Sequence, residues 1–171
     1  MEVILVDTED NPVGTMGKME VHEKALLHRA FSIFIFNKKK QMLLQRRAIG
    51  KYHSAGLWTN ACCSHPKPGE DTLAAAQKRL QQEMGFTTSL QKAFSFTYKA
   101  LFDNGLTEHE FDHVLIGYFD GGIEPNPHEV CDYCFMLIEE IETDIQLHPA
   151  KYTAWFKIAL PKLVQYISIN N

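Results

Sequence analysis

The sequence predicts an α/β (α+β) fold in which a mixed β-sheet is covered by helices. Three observations carry that expectation. Apolar runs rich in β-branched and aromatic residues lie on both sides of one strongly periodic helical segment. Two further helical patterns follow the last strand pattern. No proline-, glycine- or serine-rich linker, internal repeat or low-complexity stretch divides the chain, so residues 1–171 are expected to form one domain. A length of 171 residues is enough for one sizeable core and too short for two ordinary ones.

Taken in order, Val3 to Val6 is a short apolar run and Asn11-Pro12 a turn signal, which predicts a strand entering a hairpin. Ala30 to Phe36 and Gln41 to Gln45 are two strands joined by Lys38-Lys39-Lys40, a solvated tip. Residues 48–58 have no period and contain Gly50 and Gly56, so they read as a loop. Thr59 to Cys63 is a short strand running into the proline-rich loop Ser64 to Gly69. Glu70 to Met84 is the clearest helix: Leu73, Ala76, Leu80 and Met84 recur at helical spacing, Glu70 and Asp71 suit the first turn, and Gly85 closes it. Strands are predicted over 93–100 and 110–119 around Asp103-Asn104-Gly105, and Glu129 to Leu137 is strand-like. Ile138–Ile145 and Tyr152–Ile167 are amphipathic helix candidates, the second interrupted by Pro161.

Composition excludes several classes. Hydrophobic residues make up 45% and charged residues 22%, a globular balance rather than a disordered or fibrous one. The formal net charge of −4 offers no nucleic-acid or anionic-membrane surface. No run of 18 apolar residues occurs, the acidic start (Glu2, Asp7, Glu9, Asp10) is unlike a signal peptide, and the C-terminal Ile-Asn-Asn matches no lipidation signal; a cytoplasmic location is expected. The four cysteines, Cys62, Cys63, Cys131 and Cys134, are expected to be free thiols. Cys131 and Cys134 lie three apart on a strand, where side chains point to opposite faces, so half a zinc site is a weaker reading than ordinary strand cysteines.

The residues with chemical potential cluster. There are 8 histidines, and His22, His28, His65, His109 and His113 lie near other donors. Glu108 and Glu110 flank His109; on a strand they share one face and repel unless a cation or a proton lies between them. That pattern fits a divalent metal on imidazoles and carboxylates, and equally a charged strand edge. Cys63 stands two residues before His65, where a small buried hydrophobe and a reactive thiol are both open readings. Ser64, Glu70, Glu83, Gly85 and Phe86 have the spacing of a Nudix box, G-x5-E-x7-R-E-U-x-E-E-x-G-U, with much of its chemistry replaced: Lys78-Arg79 stands for the Arg-Glu pair and Gln82-Glu83 for the Glu-Glu pair. The remaining glutamate, Glu83, suits steadying one magnesium on a diphosphate better than cutting the diphosphate.

The string Lys51-Tyr-His-Ser-Ala-Gly-Leu-Trp-Thr-Asn-Ala-Cys-Cys-Ser-His-Pro-Lys-Pro-Gly-Glu70 resembles the cysteine motif of the type I isopentenyl-diphosphate isomerases. Glu108-His-Glu110, Tyr98 twelve residues before Glu110, Leu27-His-Arg-Ala-Phe-Ser32 and Trp155 match the same family in order, over about residues 3 to 168. The resemblance implies a Nudix-like three-layer α/β/α fold and interconversion of isopentenyl and dimethylallyl diphosphate by a 1,3-proton shift. It implies Cys63 on one face of the alkene and Glu110, helped by Tyr98, on the other. Carried over residue by residue, His22, His28, His65, Glu108 and Glu110 would hold one divalent metal (zinc, manganese or magnesium), and Glu83 a magnesium ion shared with the diphosphate. Lys18, Arg47, Lys51 and Ser64 would contact the diphosphate and Trp155 would face the carbocation, while Arg79, one helical turn before Glu83, is open between contacting the diphosphate and a solvated surface charge. The expected partner is a small diphosphate, taken up by a monomer without nucleic acid or membrane. A Nudix hydrolase of other diphosphates is the alternative that the altered box argues against.

Overall fold

A computed structural model describes residues 1–171. Its strands are β1 (Glu2–Val6), β2 (Pro12–Gly17), β3 (His28–Phe36), β4 (Met42–Arg47), β5 (Trp58–Thr59), β6 (Cys62–Ser64), β7 (Leu90–Leu101), β8 (Thr107–Tyr118) and β9 (Val130–Met136). The helices are α1 (Lys18–Lys24), α2 (Thr72–Met84), α3 (Ile138–Leu147) and α4 (Ala154–Asn170), with a 3₁₀ turn at Pro149–Lys151.

The axis of the mixed sheet is β3. It pairs in parallel with β8 from His28↔Glu110 to Phe36↔Tyr118, while its other edge meets β1 at His28, β6 from Phe31 to Ile33, and β4 at Phe36. β7 extends the sheet beyond β8, and β9 and β5 both pair with β4. The alternation of β3 explains the layers, because successive side chains leave on opposite faces. Phe31, Ile33 and Ile35 pack with Leu43, Cys62 and Leu115 under Ala76, Leu80 and Met84 of α2. Phe34 and Phe36 pack with Val114 on the other face, under Phe156, Leu160 and Leu163 of α4. Each fully buried Phe, Ile, Leu or Met among them stabilises by about 1.5–3 kcal/mol. The result is α/β/α.

Several boundaries move. α2 starts at Thr72 rather than Glu70, because the Asp71 side chain accepts the Ala74 N–H at 3.0 Å and so acts as its cap. Leu73, assigned to the buried stripe, is 38% exposed, and Ala75 takes its place. Gly85 does close the helix at φ 77, and a Cβ there would strike the backbone of Glu124. The single strand at 59–63 is two short ones, β5 and β6. Pro161 does not interrupt α4, which runs through it, and the ring lies on the exposed side of the helix. β2 and α1 lack a sequence signal, since β2 is largely exposed and α1 has only 7 residues with Val21 and His22 buried. No helix is long and apolar enough to cross a membrane.

Candidate active site and metal centre

Strand register builds the site. In β3–β8, His28 stands beside Glu110, and in β7–β8, Tyr98 stands opposite Glu110. Glu108, Glu110 and Asp112 share one face of β8. α1 supplies His22, and the left-handed Ala25 that ends α1 (φ 54) turns the chain into β3. His65 follows β6 immediately.

Ligand atoms of His22, His28, His65 and Glu110 all lie within 4.8 Å of one another, in buried surroundings. Two of the tautomers are fixed from outside. His22 Nδ1 lies 2.5 Å from the Lys18 carbonyl and His28 Nδ1 lies 2.9 Å from the Leu26 carbonyl, so each Nδ1 donates and each Nε2 presents a lone pair inward. His22 Nε2 has no partner at all. His28 Nε2 and His65 Nε2 sit 3.2 Å apart, and His65 Nε2 is 2.9 Å from Glu110 Oε1. Inward-facing lone pairs on buried imidazoles beside a carboxylate repel one another unless a cation lies among them. The donor set fits a divalent metal of borderline softness. Glu108 is outside this group of four.

Glu108 is tied instead to Tyr98. The Tyr98 hydroxyl lies 2.8 Å from Glu108 Oε2 and 2.7 Å from Glu110 Oε2, and it has one proton to give. Both contacts are satisfied when Glu108 is protonated and donates to the phenol oxygen, and the phenol donates to Glu110. The electrostatics agree: burial and then the neighbouring Glu110 raise the Glu108 carboxyl. Burial also pushes Glu110 upward, but the neighbouring imidazoles of His28 and His65, the latter with its Nε2 2.9 Å from Glu110 Oε1, outweigh it and hold the carboxyl well below the usual range. On the far side, His53 Nε2 is 3.4 Å from Glu108 Oε1, and its ring stacks on Phe102 and meets Trp155 edge-on.

Cys63 lines the same cavity, while Cys62, one residue earlier, is sealed under α2. Burial and then Asp112 push the Cys63 thiol up, so it is held as S–H. The cavity's other end is cationic. Lys18, Arg47, Lys51, Ser64 and Arg79 line it with Trp155 and Glu83. Arg79 lies 2.5 Å from Glu83 and 3.5 Å from Glu129, and Lys51 is ion-paired with Glu129. Arg47 stands over the Trp155 ring at 5.2 Å. The buried Nε atoms of Arg47 and Arg79 have no partner, which leaves two donors for an anion.

One cavity therefore gathers Lys18, Arg47, Lys51, Cys63, Ser64, His65, Arg79, Glu83, Tyr98, Glu108, Glu110 and Trp155, with His22 and His28 behind it. Gln45 and Glu129 also line it without a chemical signal in the sequence, as do Tyr52 and His53, which lie inside the Lys51–Glu70 string but take no role from it. Gln45 donates to Glu83 at 3.0 Å. Glu129 directly precedes the Val-Cys-Asp-Tyr-Cys run, where the sequence pattern marks only the start of a strand. His109 and His113 turn away from the metal cluster, to the Ala25 carbonyl and to Asp10. Cys131 is exposed and Cys134 half-buried, both as free thiols.

Comparison with known proteins agrees with this geometry. Residues 26–156 match the NUDIX domain model. An isopentenyl-diphosphate Delta-isomerase of Serratia proteamaculans is 53% identical over 154 residues, covering 90% of this chain and 86% of the relative. Isopentenyl-diphosphate Delta-isomerase 2 of Aromatoleum aromaticum is 48% identical, covering 99% of this chain and 89% of the relative. Among solved structures, DR0079 from Deinococcus radiodurans has a TM-score of 0.77 at 17% identity, covering 95% of this chain and 98% of that one. The MutT protein from Methanosarcina mazei has a TM-score of 0.68 at 18% identity, covering 85% and 96%; these two likenesses bear on the fold alone. With matches of that extent over a cavity that joins a buried thiol, an imidazole–carboxylate cluster and a cationic cradle, the chain belongs to the isopentenyl-diphosphate Delta-isomerases of the Nudix family.

Proposed function

We propose that this enzyme interconverts isopentenyl and dimethylallyl diphosphate by protonating the alkene on one face and deprotonating the adjacent carbon on the other. The observation that carries the reading is that one cavity is lined both by a proton-holding thiol (Cys63) and by an ionised carboxylate (Glu110) bonded to Tyr98. In the forward direction a proton added to the terminal carbon leaves a tertiary cation, and loss of a proton from the neighbouring methylene completes the shift. Reversibility requires Cys63 and Glu110 each to serve as donor or acceptor. Tyr98 relays between Glu110 and Glu108, the trio holding the phenol proton and one carboxyl proton.

Trp155, 4% exposed, stabilises the cation by cation–π attraction of roughly 2 kcal/mol in a desolvated site. Burial of the reacting groups excludes the water that would trap the cation as an alcohol. Lys18, Arg47, Lys51, Ser64 and Arg79 anchor the diphosphate, with Glu83 positioned to share a magnesium ion with it. His22, His28, His65 and Glu110 would hold a divalent cation, whose charge would fix the orientation of Glu110 and lower its basicity; Glu108 would join them as a further carboxylate on losing the proton it gives to Tyr98. The altered Nudix box supports isomerisation over hydrolysis: Arg79, at a position where the box has a glutamate, neutralises Glu83 instead of adding a second carboxylate.

The test is incubation of the purified protein with isopentenyl diphosphate and a divalent metal in heavy water. Dimethylallyl diphosphate carrying deuterium, with no phosphate released, is the expected product. Phosphate release at a comparable rate, dependent on Glu83, would replace this reading with hydrolysis.

A further inference from the structure

The Cys63 sulfur touches two side chains that the reaction above does not use, Asn60 Oδ1 at 3.2 Å and Ser32 Oγ at 3.4 Å. The contacts are not equivalent. Asn60 Nδ2 donates to the Ile33 carbonyl at 3.0 Å and the Cys62 carbonyl at 3.1 Å, which commits its Oδ1 to accepting. Thr59 Oγ1 gives that oxygen a second bond at 2.9 Å, and Thr153 Oγ1 in turn donates to Thr59 at 3.0 Å. Every member of this row points one way. Asn60 can hold the thiol as S–H but has nothing to offer a sulfur that has lost its proton.

Ser32 is different because its hydroxyl rotates. In β3–β6 it pairs with Cys63, and in β3–β8 its neighbour Ala30 pairs with Asp112, so Ser32 stands between the sulfur and the carboxyl on one face of the sheet. Its proton goes to Asp112 Oδ2 at 2.7 Å. Asp112 is 1% exposed, that bond is its only side-chain one, and its Oδ1 has no partner. A buried carboxyl so poorly satisfied is costly, and packing gives no reason to keep it there.

Resting on the assignment of Cys63 as a proton carrier, we propose that Ser32 and Asp112 are positioning residues for the isomerisation: Ser32 turns its O–H to the sulfur as the S–H bond breaks toward the alkene carbon, and Asp112 holds Ser32 in place between turnovers. No proton leaves Ser32; only its hydrogen bond is re-aimed.

The experiment compares Ser32→Ala, Ser32→Thr and Asp112→Asn in steady-state kinetics with isopentenyl diphosphate. In parallel, the infrared S–H band of Cys63 is isolated by subtracting the matching Cys63→Ala spectrum, which reads the thiol's hydrogen bonding without turnover. A lost bond to a charged group predicts a fall in kcat of about ten- to hundredfold for Ser32→Ala. KM should stay within about twofold, the S–H band should shift, and Ser32→Thr should recover most of the rate. Asp112→Asn should also shift the band and lower kcat less. Should Asp112→Asn fail to fold, the Ser32 pair still decides. An unchanged kcat in Ser32→Ala, a loss confined to KM, or a band that ignores Ser32 overturns the inference while leaving the isomerase assignment intact. A wild-type protein that does not isomerise overturns the assignment itself.

Discussion

Two pairs of glutamates border the same cavity and meet opposite surroundings. Glu108 and Glu110 form no ion pair with a lysine or arginine; their neighbours are imidazoles and the Tyr98 hydroxyl. Glu83 and Glu129 come with their own cations, Arg79 and Lys51. The difference decides what each pair can accept. The first holds excess electron density that only a proton or a cation relaxes, which suits metal binding and proton transfer. The second is already neutral, and its cations are available to an incoming anion. Identical side chains are thus sorted into chemistry and anchoring by what the sheet places around them.

The sharpest way to break that comparison is to neutralise one member of the first pair. Glu110→Gln, like Cys63→Ala, should abolish isomerisation with the fold intact. A general acid or base is worth ~10²–10⁴ in rate, and the loss should reach at least the top of that range because both faces of the alkene are needed. Near wild-type turnover in either variant would remove the two-face assignment. Next in size is the metal. His28→Ala takes away one inward lone pair, so bound zinc or manganese should fall in step with activity, by more than the ~10–100-fold that losing an outer-shell partner costs. Elemental analysis checks it, and full occupancy would show His28 to be structural. In the second pair, Glu83→Gln leaves Arg79 without its closest carboxylate and removes the group proposed to share a magnesium ion with the diphosphate. Catalytic efficiency should fall about ten- to hundredfold, still without phosphate release.

Most of the first pair's environment was readable before any coordinates, and most of the second's was not. Period-two alternation alone put Glu108 and Glu110 on one face, and the structure keeps that result. Local signals also sufficed for α2, because Leu80, Met84 and Gly85 speak for themselves. The convergence of His22 with His28 depends on α1 and its left-handed end at Ala25, a 7-residue helix too short to announce itself in sequence. Gln45 lies within β4 and Glu129 just before β9, both far from the box in sequence, and only the pairing of β4 with β5 and β9 brings them to Glu83 and Lys51. Ser32 and Asp112 look like ordinary strand residues until register sets them behind the thiol.

The smallest effect separates a latch from a ligand within the second pair. Burial works against ionisation of Glu129, but the bond to Lys51 and the charges of Lys51 and Arg79 outweigh it and hold its carboxyl below the usual range. A diphosphate that recruits Lys51 must first break this pair, so the pair's free energy is subtracted from substrate binding. Both side chains are about a quarter exposed, at 24% and 22%, which puts the pair in the range of partly solvated ion pairs, roughly 0–1 kcal/mol. Glu129→Gln should therefore lower KM for isopentenyl diphosphate, by up to about fivefold, and leave kcat unchanged. Added salt should shrink the difference from wild type, because screening already weakens the pair in the parent protein. The sign is opposite to that expected for Glu83→Gln. A KM that rises tenfold instead would make Glu129 a second holder of the magnesium ion, and the two glutamates of this end would then act as one site rather than as an anchor and its latch.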